Sequence, residues 1–517
     1  MTRTPWKVVA AAVAGTALSC GLYLAPASGA SQAGSDPTGL ARFNRQHLDW
    51  HACQQGPQDE DGQALDRAGA ECADVTVPLD YTRPGGRTIK VAISRLKATD
   101  TADRIGPMII NLGGPAIPVL ARVIDARQAM GETGARFDLI GMDPRFAGRS
   151  TPLDCGWPAS WIPRSAGATR RSFDRMAGLA RDLARRCAQR YGDLLAHAST
   201  TDVARDMDVV RAALGEPKLS YLGYSYGSYF GAVYAQTFPD HAGRIVLDSA
   251  IDPADPGTHV RGENAPQRER ALRDWAAWAA GHDDQFNLGA TADQVIATVE
   301  RVYQASARHP LRVGRYDVDD TIVPALLIDP LSDDGDASQA ELAVFVQVLA
   351  RAAATGSAES TPELDRALAG MLTGADSAFH SGQTAIMCAD QAVPRDPEWY
   401  WRDLQTRRAR HPLFGPLDRR LAPCAFWPTG PGQPPFRVHN DVPALIVNAD
   451  GDINATPELN QAMHRALAGS RLITLAGVRT HGVYLFQGAP CVDDTVNAYL
   501  DSGVLPTHDL VCTRASP

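Results

Sequence analysis

The segment Gly223-Tyr224-Ser225-Tyr226-Gly227 constrains this chain more than any other, because of what flanks it. Before it runs Leu219-Ser220-Tyr221-Leu222, a short apolar stretch suited to a buried strand. After it runs Ser228-Tyr229-Phe230-Gly231-Ala232-Val233-Tyr234-Ala235, small and apolar enough for a helix pressed against a sheet. Strand, sharp turn and helix is the reading. A serine at such a turn is held in a strained backbone conformation that pushes its hydroxyl into the open. Glycines flank it because side chains there would collide with the neighbouring strand and helix. A Gly/Ser turn in an ordinary α/β protein has the same composition, so the pattern gains meaning from its strand-to-helix setting. In that setting Ser225 is the candidate nucleophile.

Other apolar runs place this unit in a larger sheet. Met108-Ile109-Ile110, Phe137-Asp138-Leu139-Ile140, Ile245-Val246-Leu247 and Ala444-Leu445-Ile446-Val447 read as short strands buried on both faces. Val75-Thr76-Val77 and Ile89 to Ile93 alternate around Arg83-Pro84-Gly85-Gly86, the pattern of an antiparallel hairpin. Val203, Met207, Val210 and Leu214 share one face of a helix from about Asp202 to Leu214, stopped by Gly215 and Pro217. Alternating strands and helices predict an α/β fold with a mainly parallel sheet.

From about Asp252 to Gln383 that rhythm breaks. Trp275/Trp278, Val295/Ile296/Val299/Val302/Tyr303 and Leu342/Phe345/Leu349 fall at helical spacing, and packing explains their aromatic residues better than substrate contact does. The expected organisation is a core over residues 31–251 and 384–517, with a helical cap inserted at 252–383 above the strand ends.

Residues 1–30 read as a secretory signal: Arg3 and Lys7 supply the positive end, Val8 to Leu24 is mostly apolar, and Ala25-Pro26-Ala27 and Ser28-Gly29-Ala30 offer small-residue cleavage sites. The apolar stretch is short and glycine-broken for a membrane span. The expected location is extracellular; a lipid anchor through Cys20 is the lesser alternative, since Ala17-Leu18-Ser19-Cys20 lacks the usual leucine. Loss of Cys20 leaves eight of nine cysteines, an even set that points to disulfides in an exported chain. Cys53/Cys72, Cys155/Cys187, Cys388/Cys424 and Cys491/Cys512 are sequence neighbours, so local pairing is the economical choice among the many connectivities eight cysteines allow. No CxxC or Cys/His cluster suggests zinc, and no cofactor is expected. The formal charge of −9 becomes −11 without Arg3 and Lys7, and an acidic chain lacking a basic run is a poor nucleic-acid binder.

A serine hydroxyl is a weak nucleophile unless an imidazole takes its proton, and that imidazole needs a carboxylate to hold its tautomer and charge. Downstream of Ser225 the strand Ala444 to Val447 leads into Asn448-Ala449-Asp450-Gly451-Asp452, then Thr456-Pro457 and a helix-like Glu458 to Leu467. Leu472-Ile473-Thr474-Leu475 reads as the next strand and leads to His481. Asp452 and His481 are the candidate acid and base. Asp450 competes with Asp452, which lies farther into the loop. The oxyanion of acyl transfer needs two donors: the N–H of Tyr226, after the nucleophile, and one from the early loop Asn111-Leu112-Gly113-Gly114-Pro115, where Gly114 is the candidate.

Several segments then act together: Gly113-Gly114-Pro115; Asp143-Pro144-Arg145 with Gly148-Arg149-Ser150; Gly223 to Ser228; Val246-Leu247-Asp248; and the ending from His481 through Cys491 and Tyr499-Leu500 to Pro506 and Cys512. In combination they resemble the secreted tripeptidyl aminopeptidases of actinomycetes, which belong with the prolyl aminopeptidases among α/β-hydrolases. The resemblance spans nearly the whole mature chain. It implies the α/β-hydrolase fold, Ser225 as nucleophile, Asp452 as orienting acid, His481 as base, and release of short peptides from free N-termini. Related exported carboxylesterases share much of the pattern, and a binding paralogue with weakened turnover is a third reading.

This chain departs from the family at three places. Ala116-Ile117-Pro118 stands where further glycines and a serine are usual, which predicts a bulkier, stiffer loop. Arg145-Phe146-Ala147 stands where Arg-Gly is usual. The loop between Asp452 and Thr456-Pro457 carries one extra residue. A peptidase of this kind also needs carboxylates to receive the substrate ammonium group, and the cap offers Glu263, Glu269, Asp274, Asp283 and Asp284 among others.

Overall fold

Strands buried on both faces read as continuous apolar runs, and five such runs lie side by side here. The computed structural model describes residues 39–257 and 263–514; the proposed signal at residues 1–30, with Cys20, lies outside them. The first strands are β1 (Glu71–Pro78), β2 (Thr88–Leu96), β3 (Gly106–Asn111), β4 (Phe137–Met142), β5 (Leu219–Tyr224) and β6 (Ala242–Asp248). Three very short strands follow, β7 (Leu311–Val313), β8 (Tyr316–Val318) and β9 (Ser357–Ala358), and then β10 (Ala444–Ala449), β11 (Arg471–Ala476) and β12 (Leu510–Thr513).

The main sheet has the order β1-β2-β4-β3-β5-β6-β10-β11-β12. From β4 to β12 every neighbouring pair is parallel, while β1 and β2 form an antiparallel hairpin with Val75 opposite Val91. Alternate residues serve two cores. Ile109, Tyr221, Leu247 and Ile446 face one side, while Ile110, Leu222, Val246 and Val447 face the other. The chain therefore has the mainly parallel α/β sheet anticipated from its apolar runs, in the α/β-hydrolase arrangement that the family resemblance implies.

Helix Thr200–Ala213 begins where Ser199 accepts the Asp202 N–H, a serine N-cap. Helix Tyr226–Thr237 lies directly behind the Ser225 turn and carries a glycine, Gly231, where the sheet is close. A Cβ on Gly231 would stand 2.6 Å from the Tyr221 ring and 2.8 Å from Leu247. Between β6 and β10 the chain forms helices Ala265–Ala280, Ala292–Arg308, Asp336–Thr355 and others, with the β7–β9 sheet, around a separate apolar core that includes Trp275, Val299 and Phe345. Loops of this segment meet those that follow β10 and β11. Asn454 Nδ2 donates to Ser332 Oγ at 2.9 Å, and the Arg479 N–H donates to Asp334 at 2.8 Å.

Among the described residues four disulfides join Cys53 to Cys72, Cys155 to Cys187, Cys388 to Cys424 and Cys491 to Cys512, the local pairing expected. Among the described residues no helix is long and apolar enough to cross a membrane.

Candidate active site

Strand β5 ends at Tyr224, and the helix starts at Tyr226, so Ser225 alone must turn the chain. Its φ of 54° and ψ of −125° lie in a region that side-chain-bearing residues rarely adopt. The glycines around it are required by contact. A Cβ on Gly223 would stand 2.5 Å from Gly227 O, and one on Gly227 would stand 2.8 Å from Asn111 O. The first loop presses equally close: a Cβ on Gly113 would lie 2.8 Å from the Tyr226 nitrogen. Gly113 and Gly114 both take positive φ, 83° and 102°, as the backbone approach demands. Asn111 Oδ1 accepts the Gly113 N–H at 2.8 Å and fixes the start of that loop. The Tyr226 amide, first in its helix, lies outside the intrahelical ladder and beside Gly113.

Asp452 and His481 are brought together. Asp452 Oδ2 lies 2.8 Å from His481 Nδ1, with the carboxylate fully buried and 27 % of the imidazole side chain still accessible. The other carboxylate oxygen accepts the N–H groups of Asn454 and Ala455 at 2.8 and 2.9 Å, so the loop with its extra residue wraps around the acid. Asp450 does something else: its carboxylate accepts the Gly477 N–H at 2.9 and 3.0 Å. Burial pushes the His481 imidazole down, but the charge of Asp452, its hydrogen bond and the charge of Asp248 outweigh burial and hold the group above its usual 6.5.

Asp248 and Ser249, at the end of β6, join the nucleophile turn to the histidine loop. The Asp248 carbonyl accepts the Ser225 N–H at 3.0 Å. Its buried carboxylate accepts from Val483 N at 3.1 Å and from Tyr484 N at 2.7 Å, while Ser249 Oγ accepts the Gly482 N–H at 2.8 Å. Burial raises the Asp248 carboxyl to about 7, against the pull of those hydrogen bonds and of His481. Val246-Leu247-Asp248 is visible as a motif, yet nothing local in it reveals this bridging, since the carboxylate's partners Val483 and Tyr484 stand 235 and 236 residues away in the chain.

The departing segments are well packed. Ile117 N donates to Gly113 O at 3.2 Å, closing the first turn, and Ala116 is buried. Phe146 is buried at φ 70°. Asp143 ties both loops, accepting Val119 N and Arg149 N at 2.8 Å each, and burial raises its carboxyl to about 6. Arg145, entirely buried, is paired with Asp206 at 2.6 Å and anchors that turn. Of the cap acids named from sequence, Glu269 pairs with His411 at 2.8 Å, Glu263 stands 3.7 Å from Arg407, and Asp283 accepts the Gly289 N–H. Asp274 and Asp284 are exposed. Among the described residues no group of three or more His, Cys, Asp or Glu side chains is placed to hold a metal ion.

A strained serine at a strand-to-helix turn, with an aspartate-bound histidine after later strands of the same parallel sheet, defines the α/β-hydrolase class. Comparison agrees: a profile described as alpha/beta hydrolase fold matches residues 106–327, and one described as TAP-like protein matches residues 412–512. A tripeptidyl aminopeptidase of Streptomyces lividans is 33 % identical, the match covering 92 % of this chain and 89 % of that protein. Serine protease Hip1 of Mycobacterium tuberculosis is 31 % identical over 90 % of this chain and 91 % of its own length. A protein of the same organism named carboxylesterase B is 30 % identical, covering 95 % of both. The chain belongs to the tripeptidyl aminopeptidase family of α/β-hydrolases, and it is a hydrolase.

Proposed function

We propose that this chain is an exported serine exopeptidase that releases short peptides, tripeptides by analogy with its relatives, from free N-termini. The observation that carries the reading is the buried Asp452–His481 pair, tied through Ser249 and Asp248 to the turn that carries Ser225. Ser225 Oγ attacks the scissile carbonyl carbon while His481 takes its proton. Asp452 holds the imidazole tautomer and stabilises the imidazolium. The N–H groups of Gly114 and Tyr226 receive the oxyanion. His481 then protonates the departing amine, and water, deprotonated by the same imidazole, hydrolyses the acyl-enzyme. No cofactor enters this scheme. The four disulfides fit an oxidising, extracellular destination.

The inserted segment, with residues 252–383 as its main part, serves in this reading as a cap. A cavity of about 530 Å³ within it is lined by Asp329, Glu341, Glu363 and Asp376 against a single arginine, Arg366, and reaches Asn454 of the acid loop. Its excess of carboxylates suits the ammonium group of a peptide N-terminus. None of the five acids singled out from sequence lines it.

The likeness to a carboxylesterase supplies the competing reading with the same three residues. Three substrates separate the two: a tripeptide anilide with a free amine, its N-acetyl form, and a simple acyl ester. Exopeptidase action predicts strong preference for the free amine. If acetylation changes nothing and only the ester turns over, the peptidase reading fails.

A further inference from the structure

Both residues assigned to the oxyanion are held by one helix. Helix Ser377–Asp390 presents Gln383 and Asp390, seven positions apart and therefore on the same face, about 10 Å along its axis. Gln383, nearly buried, donates from Nε2 to the carbonyl oxygen of Gly114. Asp390 Oδ2 accepts the Tyr226 hydroxyl at 2.5 Å.

The need for such a hold follows from the loop itself. Gly113 and Gly114 sit in succession at positive φ, and glycines that reach this region also leave it easily. A donor that drifts loses its value, because the N–H must already point where charge develops. A restraint on the Gly114 carbonyl restricts the orientation of that residue. The phenol–carboxylate bond does the same for the residue after the nucleophile.

The helix is itself stiffly mounted. Cys388 is bonded to Cys424, and Thr200 N and Oγ1 both donate to Asp390 at 2.6 Å. Ser377 and Ser381 accept the N–H groups of Trp157 and Cys155 at 2.7 and 3.1 Å. At Gly382 the helix backbone is so close to the turn after β4 that a Cβ would stand 2.7 Å from Phe146 O. His380 Nδ1 lies 3.4 Å from Gln383 Oε1 and also lines the carboxylate-rich cavity, so the glutamine stands between that cavity and the first loop.

We propose that Gln383 is a positioning residue for the hydrolysis, holding Gly114 with its N–H toward the developing oxyanion, while Asp390 holds Tyr226 from the same helix. The inference rests on the reading of Ser225, Gly114 and Tyr226 given under Proposed function.

The test is Gln383→Met, which keeps bulk and removes the donor. Phosphonylation of Ser225 by a fluorophosphonate builds negative charge on the phosphoryl oxygen, where the oxyanion forms, as fluoride is displaced, so its rate reports on the donors separately from peptide binding. Deleting an oxyanion donor outright costs about 10²–10³ in kcat, and loosening one should cost about 10–100-fold. The expected result is a fall of that size in both kcat and labelling rate, with KM within about twofold and Tm unchanged. Labelling and kcat within about twofold of wild type would overturn the inference, as would a loss confined to KM. Gln383→Glu keeps the shape and, assayed above the pH at which the new carboxyl ionises, sets an acceptor against the carbonyl. It must show the same loss, and wild-type rates from it overturn the inference even where Gln383→Met fails to fold. Failure of the wild-type protein to label at Ser225 is a different result, removing the underlying reading of the site.

Discussion

Asp248 and Ser225 are joined through the backbone: the Asp248 carbonyl accepts the Ser225 N–H at 3.0 Å, while the Asp248 side chain grips the loop just beyond His481. Asp248, with Ser249 beside it, therefore links the strained serine turn to the loop of the imidazole. Among the described residues no cation is bonded to the Asp248 carboxyl, and burial raises it to about 7.

Asp248→Asn should accordingly weaken the fold as well as the site. An amide has one acceptor oxygen and turns N–H groups toward existing donors, a loss of about 1–3 kcal/mol. Because the folded value of about 7 lies above the ordinary 3.8, the wild-type carboxyl favours the folded state fully below about pH 4 and loses that contribution as pH rises through 7. Urea midpoints of wild type and variant should thus converge between about pH 5 and pH 8. A gap that widens over this range contradicts the raised carboxyl.

Asp452→Asn and Asp450→Asn should differ sharply. Only the first removes the partner of His481, and loss of such a partner lowers turnover by roughly 10⁴ in the serine-protease precedent. Asp450→Asn disturbs only the Gly477 turn and should cost less than about tenfold. His481 must be neutral to act as base, so with its value held above 6.5 the acid limb of kcat/KM should lie above that pH in wild type. In Asp452→Asn the limb should move to lower pH. The opposite ranking of the two variants transfers the acid role to Asp450.

Phe146→Gly should destabilise despite restoring the residue usual in the family. Relief of a positive φ is worth about 1–2 kcal/mol, whereas emptying a buried phenylalanine site costs about 3–5 kcal/mol. Thermal unfolding should register the net loss; a higher Tm contradicts it.

Replacing Cys491 and Cys512 together by alanine should cost about 3 kcal/mol, the loop-closure value for a separation of 21 residues. The bond ties helix Pro490–Ser502 to β12, beside the loop that carries His481. Thiol titration of the denatured, unreduced mature protein should find almost no free thiol. Two or more per chain contradict the disulfide framework.

What the sequence makes legible follows from range. Runs such as Met108-Ile109-Ile110 and Ala444 to Val447 are apolar because both sheet faces are covered, so their strands show locally. Ser225, Asp452 and His481 stand at turns after strands, where residue type and order carry the signal. Helix Arg170–Tyr191 is hard to see although Phe173, Ala177, Ala180, Ala184 and Cys187 keep helical spacing, because small residues and many arginines dilute its apolar face. Strands β7 to β9, of two or three residues, are too short to show a period. Gln383 and Asp390 are illegible for a different reason: their partners, Gly114 and Tyr226, are 269 and 164 residues away.

Labelling the mature protein with a fluorophosphonate, followed by peptide mapping, locates the nucleophile directly. One modified residue is expected, Ser225, with labelling and turnover both abolished in Ser225→Ala and His481→Ala while Tm stays close to that of wild type. Modification of another serine, or equal labelling in wild type and Ser225→Ala, would contradict the assignment of Ser225 as the attacking group.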